Sequence, residues 1–127
     1  MPTFTFNHIA LAVTDVEASM AFYQRVFQLP EIPNTASSSK TRWLSLGEGK
    51  QLHLISRPHL EVKTHKAVHF ALSTADLDGL VAHLEALKIP YSDWKDVPNQ
   101  VFVRQDGKRQ VYFQDPDGYW VEVNDDV

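Results

Sequence analysis

The chain has 127 residues, a formal net charge of −4 and no cysteine, and 43% of its residues are hydrophobic. This length suits one compact domain or two very small modules that share a core. The lack of cysteine excludes disulfides, thiolate metal sites and a cysteine nucleophile. Lys and Arg do not cluster, and no apolar stretch approaches the roughly 20 residues that span a bilayer. We therefore expect no nucleic-acid partner, no membrane partner and, without a signal-peptide pattern, a cytoplasmic location.

The first half of the chain predicts a strand, a helix and a pair of strands. Asp15 is a good N-cap because its carboxylate accepts bonds from the free N–H groups of the first turn. Apolar side chains recur at helical spacing after it, until Pro30 prevents the helix from continuing. The predicted elements in chain order are a strand from His8, a helix over 16–28, and strands over 41–46 and 51–56.

The second half predicts the same order of elements. Asp76 is again a suitable N-cap, and Pro90 again follows the helical pattern. Asp115-Pro116-Asp117-Gly118 predicts a tight turn before the last strand. The predicted elements are a strand from His69, a helix over 77–88, and strands over 101–105, 109–114 and 119–124.

The two halves form an internal repeat. His8-Ile9-Ala10-Leu11 aligns with His69-Phe70-Ala71-Leu72 at an offset of 61 residues, and Asp15 then aligns with Asp76. An offset of this size indicates a duplicated folding unit. The pattern predicts an α+β fold of two βαβββ modules, in which residues 1–57 and 67–127 are joined by a linker at about 58–66.

The repeat also aligns polar residues that can ligate a metal ion. His8 and His69 begin the first strand of each half, and His53 and Glu122 occupy matching positions in the last strands. A lone strand histidine is more often structural or exposed, but matched positions related by a pseudo-twofold axis would converge. Imidazole and carboxylate suit Zn, Ni, Fe, Mn or Co. We therefore predict one divalent metal ion bound by His8, His53, His69 and Glu122.

Four segments carry a resemblance to a known family. They are His8-Ile9-Ala10-Leu11-Ala12-Val13-Thr14-Asp15, Phe22-Tyr23-Gln24-Arg25-Val26-Phe27, His69-Phe70-Ala71-Leu72, and the run from Phe113 through Asp115-Pro116-Asp117-Gly118 to Glu122. In these segments the chain resembles the vicinal oxygen chelate superfamily, which includes glyoxalase I, extradiol dioxygenases, fosfomycin thiol transferases and bleomycin-resistance proteins. The resemblance implies curved mixed sheets around a metal-containing cavity, and a homodimer.

The resemblance implies a metal-dependent enzyme but leaves several reactions open. A glyoxalase-like lyase would bind a small molecule through vicinal oxygens, with Glu122 as the base. Glyoxalase I has a carboxylate at the position of His53, and its glutathione-using members have an Arg at the position of Ala12, so these departures disfavour the methylglyoxal–glutathione reaction. The alternatives are an extradiol-type dioxygenase, a thiol transferase, and a non-catalytic binding or resistance protein. The thiol transferases of the family have a Thr at the position that is Ala10 in this chain.

Four further residues are candidates for contact with the substrate or for proton transfer. Tyr112 matches a tyrosine that extradiol dioxygenases place near the metal, and its hydroxyl can donate a proton or a hydrogen bond. Gln114 has the same strand parity as Tyr112. Arg104 can pair with a carboxylate or phosphonate of a substrate. Trp43 is our candidate for the cavity-facing side of its strand, and filling the core is the competing role.

Overall fold

A computed structural model describes all 127 residues, which divide into two compact units, Met1–Val62 and Lys63–Val127. Unit 1 contains one helix and four strands, and unit 2 repeats this arrangement. The elements are β1 (His8–Val13), α1 (Val16–Phe27), β2 (Glu31–Ile32), β3 (Arg42–Gly47), β4 (Lys50–Ser56), β5 (His69–Ser73), α2 (Leu77–Ala86), β6 (Phe102–Val103), β7 (Arg109–Gln114) and β8 (Trp120–Asn124).

Each unit contains one four-stranded mixed sheet. The strand order is β1-β4-β3-β2 in unit 1 and β5-β8-β7-β6 in unit 2. The first and last strands of each unit pair in parallel, and the remaining neighbours pair antiparallel. The predicted fold of two βαβββ modules with mixed sheets is therefore confirmed.

The sheet of unit 1 buries one face against α1 because its apolar side chains alternate along the strands. Leu52 and Leu54 of β4 are fully buried, and α1 packs against this strand. Met20 and Tyr23 lie one helical turn apart and are also buried. In unit 2 the corresponding apolar positions belong to Val121 and Val123, Val111 and Phe113, and the helix residues Leu77 and Leu84.

Both helices begin at the predicted caps. The Asp15 carboxylate accepts a bond from the Ala18 N–H, and the Asp76 carboxylate accepts one from the Gly79 N–H. The first helix ends where Gln28 takes a left-handed conformation with φ of 57°, which releases the chain before Pro30. The helices therefore stop at Phe27 and Ala86, slightly before the predicted ends.

Two short edge strands differ from the sequence-based expectation. β2 lies in a segment where we located no strand, and it pairs with β3 through Glu31 and Ile32. The strand predicted over 101–105 is limited to β6 because the chain already turns at Arg104, whose carbonyl accepts a bond from the Gly107 N–H. Neither helix could cross a membrane, since α1 has 12 residues and α2 has 10.

Candidate functional site

In each sheet, the face opposite the apolar core carries the predicted site residues of the strands, whereas Arg104 lies in the turn after β6. Along β8, Val121 and Val123 point into the core, so Glu122 faces the other way together with its neighbours of equal parity. Strand pairing sets Tyr112 opposite Glu122. The other pairs on this face are Gln114 with Trp120 and Gln110 with Asn124. The equivalent pair in unit 1 is Trp43 with His53.

The Glu122 carboxylate is buried and held on both oxygens. Only 8% of the residue is exposed. The Tyr112 hydroxyl donates to Oε1 at 2.8 Å, and the Asn124 amide donates to Oε2 at 2.8 Å. The Gln110 amide in turn donates to the Tyr112 hydroxyl at 2.6 Å, which directs the tyrosine proton toward Glu122. This arrangement fixes the orientation of the carboxylate before any ligand binds.

His69 presents one ring nitrogen to that carboxylate. Its Nδ1 lies 2.9 Å from the Lys66 carbonyl oxygen, which can only accept, so Nδ1 carries the proton. In a neutral ring, Nε2 then has a lone pair, and it lies 3.3 Å from Oε1 of Glu122. Two atoms that bind one tetrahedral ion at ~2.0–2.1 Å lie roughly 3.3 Å apart. The pair therefore fits two positions around one ion, although a protonated His69 would form an ion pair at the same distance.

Unit 1 holds the other two predicted ligands in a column of three rings. The His53 ring stacks on His8 with centroids 4.1 Å apart and on Trp43 with centroids 4.1 Å apart. The Nδ1 of His8 lies 2.6 Å from Oδ1 of Asn7, and the Nε2 of His53 lies 2.8 Å from Oε1 of Gln51. Burial, and to a lesser extent the nearby His8, lower the pKa of His53.

Each unit therefore contains two of the four predicted ligands. His8 with His53 forms the unit 1 half-site, and His69 with Glu122 forms the unit 2 half-site. Neither unit by itself collects three or more His, Asp or Glu side chains in a metal-binding arrangement. Imidazole nitrogens and a carboxylate are suitable donors for a borderline divalent ion. The donor chemistry of the two half-sites fits such an ion.

The predicted substrate-binding residues lie in different environments. Tyr112 is buried in the Glu122 network, and burial followed by the Glu122 hydrogen bond raises the pKa of its hydroxyl. Trp43 is 9% exposed and covers one face of His53. Arg104 pairs with the surface carboxylates of Asp106 and Asp126. The Gln114 amide donates to the carbonyl of Gly118, within the turn.

Lys66 is a component of the unit 2 face that sequence reasoning missed, since it was assigned to the linker. Its side chain is only 12% exposed, and its ammonium group lies 2.7 Å from a carboxylate oxygen of Asp96. The same group lies 5.1 Å from the ring centre of Tyr112 and 4.8 Å from that of Trp120. Nothing in the local sequence distinguishes this lysine from a solvated one.

Gln110 and Asn124 were also missed, although strand parity could have identified them. Each lies two residues from a predicted site residue, Tyr112 or Glu122, and therefore on the same face. Beside this face, unit 2 contains a cavity of about 230 Å³. It is lined by Tyr112, Trp120 and Gln114 together with Pro90, Tyr91, Ser92, Pro98 and Phe113.

The sequence of the chain is similar to that of known proteins. Residues 5–123 match the model of the Glyoxalase/Bleomycin resistance protein/Dioxygenase superfamily. The chain is 26% identical to "Metallothiol transferase FosB" from Lysinibacillus sphaericus (strain C3-41), over 94% of this chain and 81% of that protein. It is 27% identical to "Glyoxylase I 4" from Arabidopsis thaliana, over 94% of this chain and 69% of that protein.

A solved structure agrees with these relatives. The structure of a glyoxalase/dioxygenase from Nostoc punctiforme superimposes with a TM-score of 0.76 and 28% identity, covering 97% of this chain and 91% of that one. The family model, the relatives and the fold all span nearly the whole sequence. The chain therefore belongs to the Glyoxalase/Bleomycin resistance protein/Dioxygenase superfamily.

Proposed function

We propose that this protein is a glyoxalase-like divalent-metal enzyme of the lyase or isomerase type. Its substrate would be a small oxygen-rich molecule held through vicinal oxygens. The observation that carries the proposal is the 3.3 Å separation between Nε2 of His69 and Oε1 of Glu122. When the His69 ring is neutral, both atoms bear lone pairs, which repel each other unless a cation lies between them.

His8, His69 and Glu122 form the ligand set that we propose, and His53 is treated separately below. In the two histidines, Nδ1 faces an oxygen atom, Asn7 Oδ1 for His8 and the Lys66 carbonyl for His69. Ligating histidines commonly have their second nitrogen bonded in this way, which fixes the ring and the tautomer. The metal, whether Zn, Ni, Fe, Mn or Co, would act as a Lewis acid on substrate oxygens.

The proton transfer is assigned to residues of unit 2. Glu122 would accept a proton from the substrate carbon and return it to the neighbouring carbon or oxygen. Asn124 holds Oε2 of the carboxylate, which leaves Oε1 on the side of His69. The Tyr112 hydroxyl, which donates to Oε1, would keep the carboxylate oriented and can donate to a bound oxygen when Glu122 is protonated.

The first experiment measures metal content. Metal-replete wild-type protein should bind about one ion per proposed site, and His69→Ala and Glu122→Gln should lose most of this binding, at about 100-fold or weaker affinity. Glu85→Gln is the matched control, because Glu85 bonds Tyr91 and lies outside both half-sites. A wild-type protein that holds no divalent ion would rule the proposal out.

A second experiment tests the proton-transfer role. Glu122→Gln, assayed at a metal concentration high enough to fill its weakened site, should abolish turnover of any substrate found by screening α-hydroxy and α-oxo carbonyl compounds with Ni, Co, Mn or Zn under anaerobic conditions. The circular dichroism spectrum should remain that of the wild type, because Gln has nearly the same shape as Glu. An unchanged rate would remove Glu122 from this role.

Each of the alternative functions would require different conditions in these assays. An extradiol-type dioxygenase with a two-histidine, one-carboxylate set would require Fe(II) and consume O2. A thiol transferase, which the similarity to a metallothiol transferase favours, would form an adduct only when a thiol is added. A non-catalytic binding protein would bind its ligand tightly in the absence of metal.

We also propose that the protein forms a homodimer. Phe4 and Phe6 are 83% and 58% exposed in the segment before β1, and large exposed apolar side chains are typical of association surfaces. Sedimentation or light scattering would give the mass directly. The small-molecule partner and the cytoplasmic location stay predictions.

A further inference from the structure

We propose that His53 is a positioning residue, which holds the ring of His8 by stacking and does not itself bind the ion. The inference rests on the proposed metal site, and it assigns His53 a role different from the ligand role that the repeat predicted. It follows from the geometry of three rings, those of His8, His53 and Trp43.

The His8 and His53 rings cannot both point at one ion. Their centroids are 4.1 Å apart and their planes differ by 15°, so the rings lie face to face. Coplanar rings at that separation would overlap. A metal binds a ring nitrogen at ~2.0–2.1 Å and close to the ring plane, so an ion bound to His8 would lie roughly 3 Å outside the plane of His53. In this arrangement only one of the two rings can be a ligand of that ion.

The contacts of His53 make it the fixed member of the pair. Its second face is covered by Trp43, whose plane differs by only 4° at a centroid distance of 4.1 Å. Strand pairing sets Trp43 directly opposite His53, and Trp43 is 9% exposed. The Nε2 of His53 is also bonded to Gln51 at 2.8 Å. Turning this ring toward an ion would break two face contacts and a hydrogen bond.

His8 has the opposite properties. It is the first residue of β1 and is exposed, and it follows an exposed segment over residues 1–7. Besides the bond to Asn7, the face of His53 is the contact that restrains its ring. A ligand that is held in one orientation loses less freedom on binding, and interactions that orient ligands contribute about 10–100-fold to metal affinity. His53 would supply this restraint to His8.

The test compares two replacements of His53 by Co(II) titration of the full-length protein. His53→Phe keeps a flat ring but has no lone pair, and His53→Ala removes the ring. We expect His53→Phe to bind Co(II) within about threefold of the wild type and His53→Ala to bind about 10-fold more weakly. Both should reach the visible absorption intensity of the wild type, because the number of ligands is unchanged. Loss of binding in His53→Phe to the level of His69→Ala would overturn the inference.

A second measurement examines the stack in metal-free protein. Ring currents of His53 should shift the Cε1 proton of His8 upfield in the NMR spectrum. His53→Phe should keep that shift and His53→Ala should lose it, and an unmoved His8 signal in His53→Ala would also overturn the inference. A wild-type protein without Co(II) binding would instead defeat the proposed function, and this inference with it, so the two failures can be told apart.

Discussion

At the scale of single residues, Glu122 is the side chain whose environment is hardest to explain without a ligand. A buried carboxylate is costly unless it is paired or fully hydrogen-bonded. Glu122 receives hydrogen bonds from two neutral donors, Tyr112 and Asn124, and its nearest potential cation is His69 at 3.3 Å. A divalent ion at Oε1 would provide the compensating charge that these neutral donors lack.

Asn124 should affect metal binding although it is not a proposed ligand. Its amide holds Oε2 of Glu122 at 2.8 Å, so Asn124→Ala should free the carboxylate and weaken Co(II) binding about 10-fold. Asn34→Ala is the matched control, because Asn34 bonds Ser37 and the Thr41 carbonyl in a loop of unit 1. Equal affinities of Asn124→Ala and wild type would show that the amide does not orient Glu122.

Tyr91 gives a pH-dependent contribution to stability that is independent of the site. The hydrogen bond to Glu85, and then burial, raise the pKa of Tyr91 to about 12 from 10.0. Because the folded-state pKa is raised, this contribution is complete below pH 10 and is lost as the pH rises toward 12. Tyr91→Phe should lower the free energy of unfolding by about 1 kcal/mol at pH 8, and by less at pH 11.

Urea unfolding of both proteins at the two pH values measures this difference. Glu85→Gln supplies a control, since it should bring the pKa of Tyr91 closer to 10, as read from phenolate absorbance. If the difference in the free energy of unfolding between wild type and Tyr91→Phe stayed constant from pH 8 to 11, the raised pKa of Tyr91 would be contradicted.

At the scale of elements, the two helices use the same cap bond with different donor residues. In α1 the residue that donates to the cap is Ala18, whereas in α2 it is Gly79. A Cβ built on Gly79 would lie 2.2 Å from Oδ2 of Asp76. The carboxylate of the second cap therefore occupies the space that a side chain at position 79 would need. This explains why a glycine is accommodated in the first turn of α2.

Gly79→Ala should therefore have little net effect on stability. Better helix propensity would contribute about 1 kcal/mol, but displacement of the Asp76 carboxylate would remove a cap bond of similar value. In an Asp76→Ala background the conflict is absent, so Gly79→Ala should then stabilise by about 1 kcal/mol. Thermal or urea unfolding of the wild type, the two single variants and the double variant would give the four free energies of this double-mutant cycle. If Gly79→Ala also stabilised the wild-type protein by about 1 kcal/mol, the Asp76 carboxylate would be able to move aside without loss of stability.

At the scale of the whole molecule, the proposed ligand set is divided between two units that repeat one fold. Unit 1 contributes imidazoles alone, and unit 2 contributes an imidazole and a carboxylate. The proposed ligands His8, His69 and Glu122 include residues of both units. In a homodimer these ligands can come from two chains, and a mixing experiment reveals this.

We expect His8→Ala and Glu122→Gln chains to restore each other's Co(II) binding when they are mixed and reassociated. A mixed dimer would contain one doubly altered site and one intact site, so random pairing should recover about a quarter of the wild-type sites. Each variant alone should bind little Co(II). Absence of recovery, with mixed dimers demonstrated by mass spectrometry, would show that each ion takes its ligands from one chain.

The order of elements and the faces of the strands could be predicted from the sequence because they depend on local chemistry. Asp15 and Asp76 cap helices wherever a helix follows, and alternation sets Glu122 apart from Val121 and Val123. The short strands were less predictable. β2 has only two paired residues, Glu31 and Ile32, and its pairing depends on β3, which lies beyond the loop over 33–41.

By itself, the sequence determined the duplicated fold and the positions from which a metal site would be built, since both follow from a repeat and from strand parity. Only the tertiary structure decided how those side chains are oriented. The stacking of His53 between His8 and Trp43, and the hydrogen bond from the Tyr112 hydroxyl to Glu122, depend on register between strands. Register brings together residues that are distant in sequence, and periodicity along one strand carries no information about the rings or amides of the next.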